Sequence, residues 1–258
     1  ALLSVGRVQT PTLAILVKRR KEIEDFKPEE YATVTADFGD YRGMYFREGL
    51  EPDTHIPKID DAKALAAQIK NQSATVISAE TTRRRDLPPQ LYDLTSLQRD
   101  ANRLLGFTAD KTLKLAQSLY ETHKALTYPR TDSRYLTVDM TETASVVLHL
   151  AARVPPFDAC PEFFPDVAAL VNDKEVSDHH ALIPTLELEK TDVPALPVGE
   201  RNILLLVCCK LLCAAAEPFV YEAVTAIFDC GGHTFTAKGK QVLSQGWRAI
   251  QEVFRSSL

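Results

Sequence analysis

The residue pattern of this chain changes twice along its length, each time at a pair of prolines. Before Pro88 and Pro89 apolar and polar residues alternate in short runs typical of strands. Beyond them the apolar residues recur at helical spacing, until a helix and further strand-like runs follow Pro194 and Pro197. This order predicts an α+β fold: a discontinuous β-rich domain with a mainly helical domain inserted into it.

The two changes set the predicted domain boundaries. We expect a short helical segment in residues 1–25, a β-rich domain built from 26–86 and 190–258, and the inserted helical domain in 87–189. Within the β-rich domain the pattern predicts hairpins at 31–47 and 219–238, and a last short strand at 247–254. Residues 4–23 and 200–216 are predicted to be helices.

Composition and charge limit the classes of function. The chain has 258 residues, 35 acidic and 30 basic, and a net charge of −5, which excludes a uniformly basic nucleic-acid coat. Local basic patches remain possible, because positive residues cluster at 18–21, at 83–85, and at Arg130 with Arg134. The longest apolar stretch, 203–216, is interrupted by Lys210 and is too short for a bilayer, so no membrane partner is expected.

The cysteines indicate the redox compartment of the protein, and the first residues indicate whether the chain is part of a longer one. The five cysteines show no paired CxxC spacing for zinc and no disulfide framework, which favours a reducing, cytoplasmic setting. The first residue is not methionine and no signal-peptide layout follows it, so we expect the chain to be the middle of a longer protein.

The stretch 126–136, LTYPRTDSRYL, places a phenol, a guanidinium, two hydroxyls and a carboxylate close together after a helical pattern. Pro129 cannot continue that helix and biases Tyr128 away from helical backbone angles. A tyrosine with Arg130 two residues on suits attack on a phosphodiester whose oxygens the guanidinium grips. The alternative is a buried tyrosine in a polar turn, with Thr131, Asp132 and Ser133 as turn and cap residues.

Two further segments carry weaker signals when taken singly. His179 and His180 are adjacent in a polar loop, where one could donate to a phosphate oxygen or serve only as a turn residue beside Asp178. A zinc site is not expected, since no third ligand lies at helical spacing. The segment SVGRVQT at residues 4–10 is a glycine turn before a helix, and its Arg7 and Gln9 could contact nucleic acid.

Taken together and in this order, these segments resemble the consecutive motifs of type IA DNA topoisomerases, nearest to the topoisomerase III branch. The matching pieces are SVGRVQTPTL, LPPQLYDLTSLQ, GFTADKTLKLAQSLYETHKALTYPRTDSRYL and DHHALIPT. The resemblance extends from Ser4 to about Trp247. TYPRTDS and HHALIPT are the most specific pieces in combination.

The resemblance implies a reaction and a set of residues. In this family a tyrosine attacks single-stranded DNA, forms a 5′-phosphotyrosine bond, lets another strand pass and reseals the break, without ATP. By that resemblance Tyr128 is the nucleophile and Arg130 neutralises the scissile phosphate. The remaining phosphate or DNA contacts expected from the resemblance are His179, His180 as second choice, Thr131, Asp132, Ser133, Ser4, Arg7 and Gln9.

The resemblance also implies parts that this sequence does not carry. The family's Mg²⁺ lies in a Toprim domain with a DxDxE cluster, which precedes the GRVQ motif, and no DxDxE occurs in these 258 residues. We therefore expect no metal ligands here, partners in single-stranded DNA and in the Toprim and remaining strand-binding domains, and no relaxation by the chain alone. The expected location is the bacterial cytoplasm, at the nucleoid.

Two rival interpretations belong to other classes. A tyrosine recombinase uses dispersed arginines around a tyrosine near its C-terminus, whereas Tyr128 lies mid-chain and close to one arginine. The second rival is a single-stranded DNA-binding module without chemistry.

Overall fold

The structure, a computed structural model, describes residues 6–39, 41–47, 53–161 and 164–258. The described residues form two compact units. The first unit contains residues up to Glu80 together with Val224–Gly239, and the second contains Thr81–Ala223 together with Lys240–Leu258. The predicted mixture of helices and sheet, the α+β class, is confirmed. The bounds differ from those predicted, since residues 190–223 and 240–258 belong to the mainly helical unit rather than to the β-rich one.

A five-stranded sheet of order β1-β2-β5-β4-β3 runs through the described residues. Its strands are β1 Thr35–Asp37, β2 Arg42–Tyr45, β3 Ala74–Asp86, β4 Phe219–Cys230 and β5 His233–Ser244. β1 pairs antiparallel with β2, Thr35 facing Met44, and β2 pairs antiparallel with β5, Tyr45 facing Phe235. Both predicted hairpins are present, because β5 also pairs with β4. β1 and β2 are shorter than the predicted range, and β5 extends beyond it.

The first unit is built on one face of this sheet and on α2, Ile59–Ile69. Asp60 and Asp61 in the first turn of α2 complement its dipole. Leu65 and Ile69 are buried on one side of the helix and share a core cluster with Phe235 and Phe228. The first helix of the unit, α1 Gln9–Glu24, buries none of its residues in the described part of the chain.

The second unit is mainly helical. Its helices are α3 Leu94–Leu105, α4 Ala109–Glu121, α5 Thr141–Ala152, α6 Val198–Ala214 and α7 Trp247–Ser256. α6 lies at the centre, since eleven of its residues are buried, and it packs on α3, α4, α5 and α7. Gly106 ends α3 with φ +68°, the left-handed angle that glycine adopts without steric cost. None of the helices in the described ranges is long and apolar enough to cross a bilayer.

The strand predicted at 247–254 is wrong, because these residues form helix α7. Ile250 and Phe254 are four residues apart, lie on one face of the helix and are buried in the core beside α6. A short apolar run does not by itself distinguish a strand from a buried helix. The sharp entry into α7 needs Gly246, since a Cβ there would lie 2.3 Å from the Pro218 carbonyl oxygen.

Candidate active site

The tyrosine segment, residues 126–136, lies beside the histidine loop, residues 177–185, which carries His179 and His180. Both belong to the helical unit. The Thr127 N–H donates to the Ile183 carbonyl at 3.0 Å, and the Ile183 N–H donates to Thr127 Oγ1 at 3.0 Å. One step along, the Thr185 N–H donates to the Ala125 carbonyl at 3.1 Å. This short antiparallel pairing brings together two motifs that are about fifty residues apart in the sequence.

Tyr128 leaves this pairing with its ring between two other rings. Its centroid lies 4.6 Å from that of His179, with the planes tilted by 49°. Tyr120, in the last turn of α4, meets it edge-on at 5.5 Å. The preceding Ala125 and Leu126 are fully buried, whereas Tyr128 is only partly so. The side chain is therefore set on an anchored backbone and remains accessible from outside.

Thr131 and Ser133 are buried, and their hydroxyl groups bond to the protein itself. Thr131 Oγ1 donates to the His179 carbonyl at 3.1 Å and accepts from the Ser133 N–H at 3.1 Å. Ser133 Oγ donates to the Glu175 carbonyl at 2.9 Å. Of the two roles expected for these hydroxyls, holding the tyrosine loop or holding phosphate, the observed contacts account for the first.

Arg130 and Asp132 differ from these neighbours, since both are exposed. Across the described ranges neither side chain has a hydrogen bond or an ion pair with another residue. The Asp132 carboxylate therefore does not pair with the Arg130 guanidinium in this structure. The Arg130 guanidinium is available to an anion from solvent, two residues from the tyrosine.

The two histidines have different surroundings. His179 is exposed and has its ring against Tyr128. His180 is half-buried, and its Nδ1 lies 2.8 Å from the Ala181 carbonyl oxygen, so it is partly engaged by its own backbone. His179 is thus the histidine that contacts the Tyr128 ring, and its contact with phosphate stays a prediction.

The other predicted DNA contacts do not fall in the helical unit. Arg7 is exposed in the turn before α1, and Gln9 is the first residue of α1, so both belong to the first unit. Ser4 lies outside the described residues.

A group of polar side chains beside the tyrosine loop is not among the residues predicted from the sequence. Asp93 caps α3, accepts from the Ser96 N–H at 2.6 Å and forms an ion pair with Arg134 at 2.9 Å. The largest single influence on the pKa of Asp93 is burial, which raises it. The hydrogen bonds from Ser96 and Arg134 together outweigh burial, so the pKa lies below its usual value. The spacing Asp93-x-x-Ser96 before an apolar run is a cap signal that could have revealed it.

A second buried contact fixes the end of α4 from which the tyrosine segment starts. Glu200, on α6, is 9% exposed. It accepts from Ser118 Oγ at 2.8 Å, and its other oxygen lies 2.8 Å from His123 Nε2. Burying a carboxylate is costly unless it is hydrogen-bonded in this way. These contacts hold the chain five residues before Tyr128 against the central helix.

No cluster of side chains suited to Mg²⁺ is found among the described residues. In the described part of the chain no three or more His, Cys, Asp or Glu side chains converge so that they could hold a metal ion. Mg²⁺ requires near-octahedral oxygen coordination, usually with at least one carboxylate. No step of the chemistry is therefore assigned here to a bound metal.

The fold and this site define the class of protein. Residues 1–257 match the family model described as DNA topoisomerase, and the chain belongs to that family, of type IA.

The chain resembles the enzymes named DNA topoisomerase 3 in particular. It is 39% identical over 257 residues to the one from Bacillus licheniformis, covering 98% of this chain and 35% of that protein. It is 41% identical over 256 residues to the one from Shouchella clausii, covering 96% and 34%. The chain therefore spans about a third of the length of these relatives.

A solved structure of full-length topoisomerase I from Thermotoga maritima has a similar fold. The TM-score is 0.72 at 24% sequence identity, and the match covers 98% of this chain and 41% of that one. At this identity the likeness concerns the fold alone.

Proposed function

We propose that this chain is the tyrosine-bearing part of a type IA DNA topoisomerase that cleaves and reseals single-stranded DNA, relaxing or decatenating it. One observation carries the proposal. Tyr128 is partly exposed on a braced segment with its ring 4.6 Å from that of His179, and the unpaired Arg130 is two residues away. A phenol in contact with an imidazole, with an exposed guanidinium two residues along the chain, suits transfer of a phosphoryl ester to tyrosine.

The reaction is a balanced exchange of esters. Tyr128 Oη attacks the phosphorus of a phosphodiester, the bond from phosphorus to the 3′ oxygen breaks, and a 5′-phosphotyrosine bond forms. The phenolic proton is lost and the departing 3′ oxygen gains one, so the free 3′-hydroxyl can later reverse the step. The ester energy is conserved in the phosphotyrosine, and no nucleotide cofactor is consumed.

Arg130 and His179 have distinct roles in this scheme. The Arg130 guanidinium presents two parallel N–H groups to the phosphate oxygens as negative charge accumulates in the transition state. His179 donates a ring N–H to a phosphate oxygen while its ring face fixes the Tyr128 ring. Thr131 and Ser133 keep both residues in register through the loop contacts described above.

Mg²⁺ and the remaining DNA contacts come from outside these 258 residues in this proposal, since the described residues offer no metal site. When bound, the ion would supply positive charge near the cleaved phosphate. The 258-residue chain by itself should then fail to relax supercoiled DNA. The relatives are bacterial proteins, and we place the activity in the bacterial cytoplasm at the nucleoid.

The test uses a chimera in which these residues replace the matching third of the Bacillus licheniformis enzyme. We expect Mg²⁺-dependent relaxation, and a covalent DNA adduct after rapid denaturation. Tyr128→Phe should abolish both, whereas Tyr135→Phe, which alters another tyrosine of the same segment, should retain the adduct. An adduct that survives Tyr128→Phe would show that the nucleophile is wrong. Relaxation by the 258-residue chain alone would contradict its predicted dependence on other domains.

A further inference from the structure

One cavity among the described residues lies away from Tyr128, where β4, β5 and α7 meet in the helical unit. It encloses about 1100 Å³ and opens broadly to solvent. Pockets for small molecules commonly enclose about 300–1,000 Å³ and surround their ligand on most sides. An open groove of this size suits a segment of a polymer better than a small molecule.

Aromatic rings form one side of the groove, and cations lie over them. Lys240 Nζ is 3.9 Å from the ring centre of Tyr221 and 4.3 Å from that of Phe219. The Arg248 guanidinium carbon lies 4.0 Å from the Phe219 centre and 5.4 Å from the centre of Trp247. These contacts hold the positive groups along the groove wall, because ring faces attract cations.

Two side chains of the groove wall, Trp247 and Arg248, are held in place by hydrogen bonds to Asp86. Asp86, the last residue of β3, accepts from the Trp247 indole N–H at 3.1 Å through its carbonyl and from Arg248 at 2.6 Å through its carboxylate. The indole is thereby oriented before any ligand arrives. A pre-oriented aromatic ring loses less conformational entropy on binding than a mobile one.

The free charge of the groove is positive. Arg248 is paired with Asp86, but Lys240 and Arg255 are exposed and form no ion pair within the described ranges. One carboxylate, Glu252, is also part of the lining. The whole chain carries a net charge of −5, so this positive surface differs in sign from the average of the molecule.

We propose that this groove is a second binding site for single-stranded nucleic acid, distinct from the surface at Tyr128. Lys240 and Arg255 contact phosphates, and the partly exposed Trp247 ring receives a base. The combination of a cationic groove with aromatic rings is what sequence-tolerant recognition of single strands requires. This proposal goes beyond the tyrosine chemistry and does not depend on it.

The test exploits Trp247, which is the only tryptophan of the chain and lies in the groove. We expect oligothymidylate of about 12 nucleotides, within the usual range of site sizes, to quench its fluorescence saturably at low salt. Lys240→Ala and Arg255→Ala should each weaken binding about tenfold. Each should also reduce the slope of log affinity against log salt by about 0.7.

Two control variants check that the oligonucleotide binds in this groove and not elsewhere on the chain. Lys111→Ala removes another lysine that lies over a ring, that of Phe107 at 3.9 Å, but outside the groove, and should leave quenching unchanged. Lys114→Ala, at another exposed position of α4 outside the groove, should also leave it unchanged.

Three results would overturn the proposal: absence of saturable quenching, equal weakening by Lys111→Ala or Lys114→Ala, or equal quenching by polyglutamate. The last of these would assign the groove to an acidic polypeptide instead of a nucleic acid.

Discussion

The two faces of the tyrosine segment differ in what their side chains contact. Positions 129, 131 and 133 are buried. The hydroxyls of Thr131 and Ser133 donate hydrogen bonds to the backbone carbonyls of His179 and Glu175, respectively. Positions 128, 130 and 132 are partly or fully exposed, and Arg130 has no protein partner in the described chain. Burial therefore alternates along this segment, as it does where successive side chains point to opposite sides of the backbone.

This comparison predicts that substitutions on the exposed face change activity without changing stability, and that substitutions on the buried face do the reverse. The largest effect after loss of Tyr128 is expected at Arg130. In the chimera, Arg130→Ala should reduce the cleavage rate by about 10²–10³-fold, because one group that stabilises transition-state charge is removed. Rates of adduct formation under single-turnover conditions measure this.

The same variant should leave the free energy of unfolding within about 0.5 kcal/mol of the parent chain, as exposed substitutions usually do. Arg130→Lys is the matched control and should recover only part of the rate, because an ammonium lacks the planar pair of donors. A large loss of stability in Arg130→Ala would show that the residue is structural and would remove the distinction between the faces.

A smaller effect of the opposite kind is expected on the buried face. Thr131→Val removes the hydroxyl that donates to the His179 carbonyl and accepts from the Ser133 N–H. The unfolding free energy should fall by about 1–3 kcal/mol, because buried polar groups lose their partner. Urea denaturation of the 258-residue chain measures it. Thr95→Val, at an exposed position of α3, serves as control and should have little effect.

The smallest effect concerns the pH dependence of stability at Asp93. Its pKa is lowered in the folded chain, so the carboxylate form contributes stability above the unfolded pKa of about 3.9. That contribution is lost as the pH falls through the lower folded pKa. Asp93→Asn should therefore reduce stability at pH 7 and flatten its dependence between about pH 5 and pH 2. Equal pH profiles for the two proteins would contradict the assignment.

Much of the fold followed from local patterns. Helices α1 and α6 and the strands of both hairpins overlap the ranges that periodicity predicts. The sequence pattern failed at α7, where a short apolar run predicts a strand. The residues form a helix instead, which places Ile250 and Phe254 on one buried face. The sequence pattern also could not show that residues 190–223 and 240–258 belong to the mainly helical unit. That depends on which hydrophobic core their apolar side chains join.

The candidate site divides in the same way. The sequence marked Tyr128, Arg130 and His179 because their residue types and order resemble a family with a defined chemistry. It could not show which of the neighbouring hydroxyls are consumed by the loop, since Thr131 and Ser133 bond to carbonyls more than forty residues away. Nor could it indicate the groove lined by Lys240, Trp247 and Arg255, because these residues belong to no recognised motif.

The sequence by itself thus determined the identity and order of the reactive residues in LTYPRTDSRYL and HHALIPT, together with most of the secondary structure. Only the tertiary structure decided that the Tyr128 ring lies against His179, that Arg130 is left unpaired in the described chain, and that cations and rings line a groove beside α7. The physical reason is the distance along the sequence over which each kind of interaction acts. Backbone preferences and side-chain periodicity act over a few residues, whereas ring contacts, buried hydrogen bonds and grooves depend on which distant segments pack together.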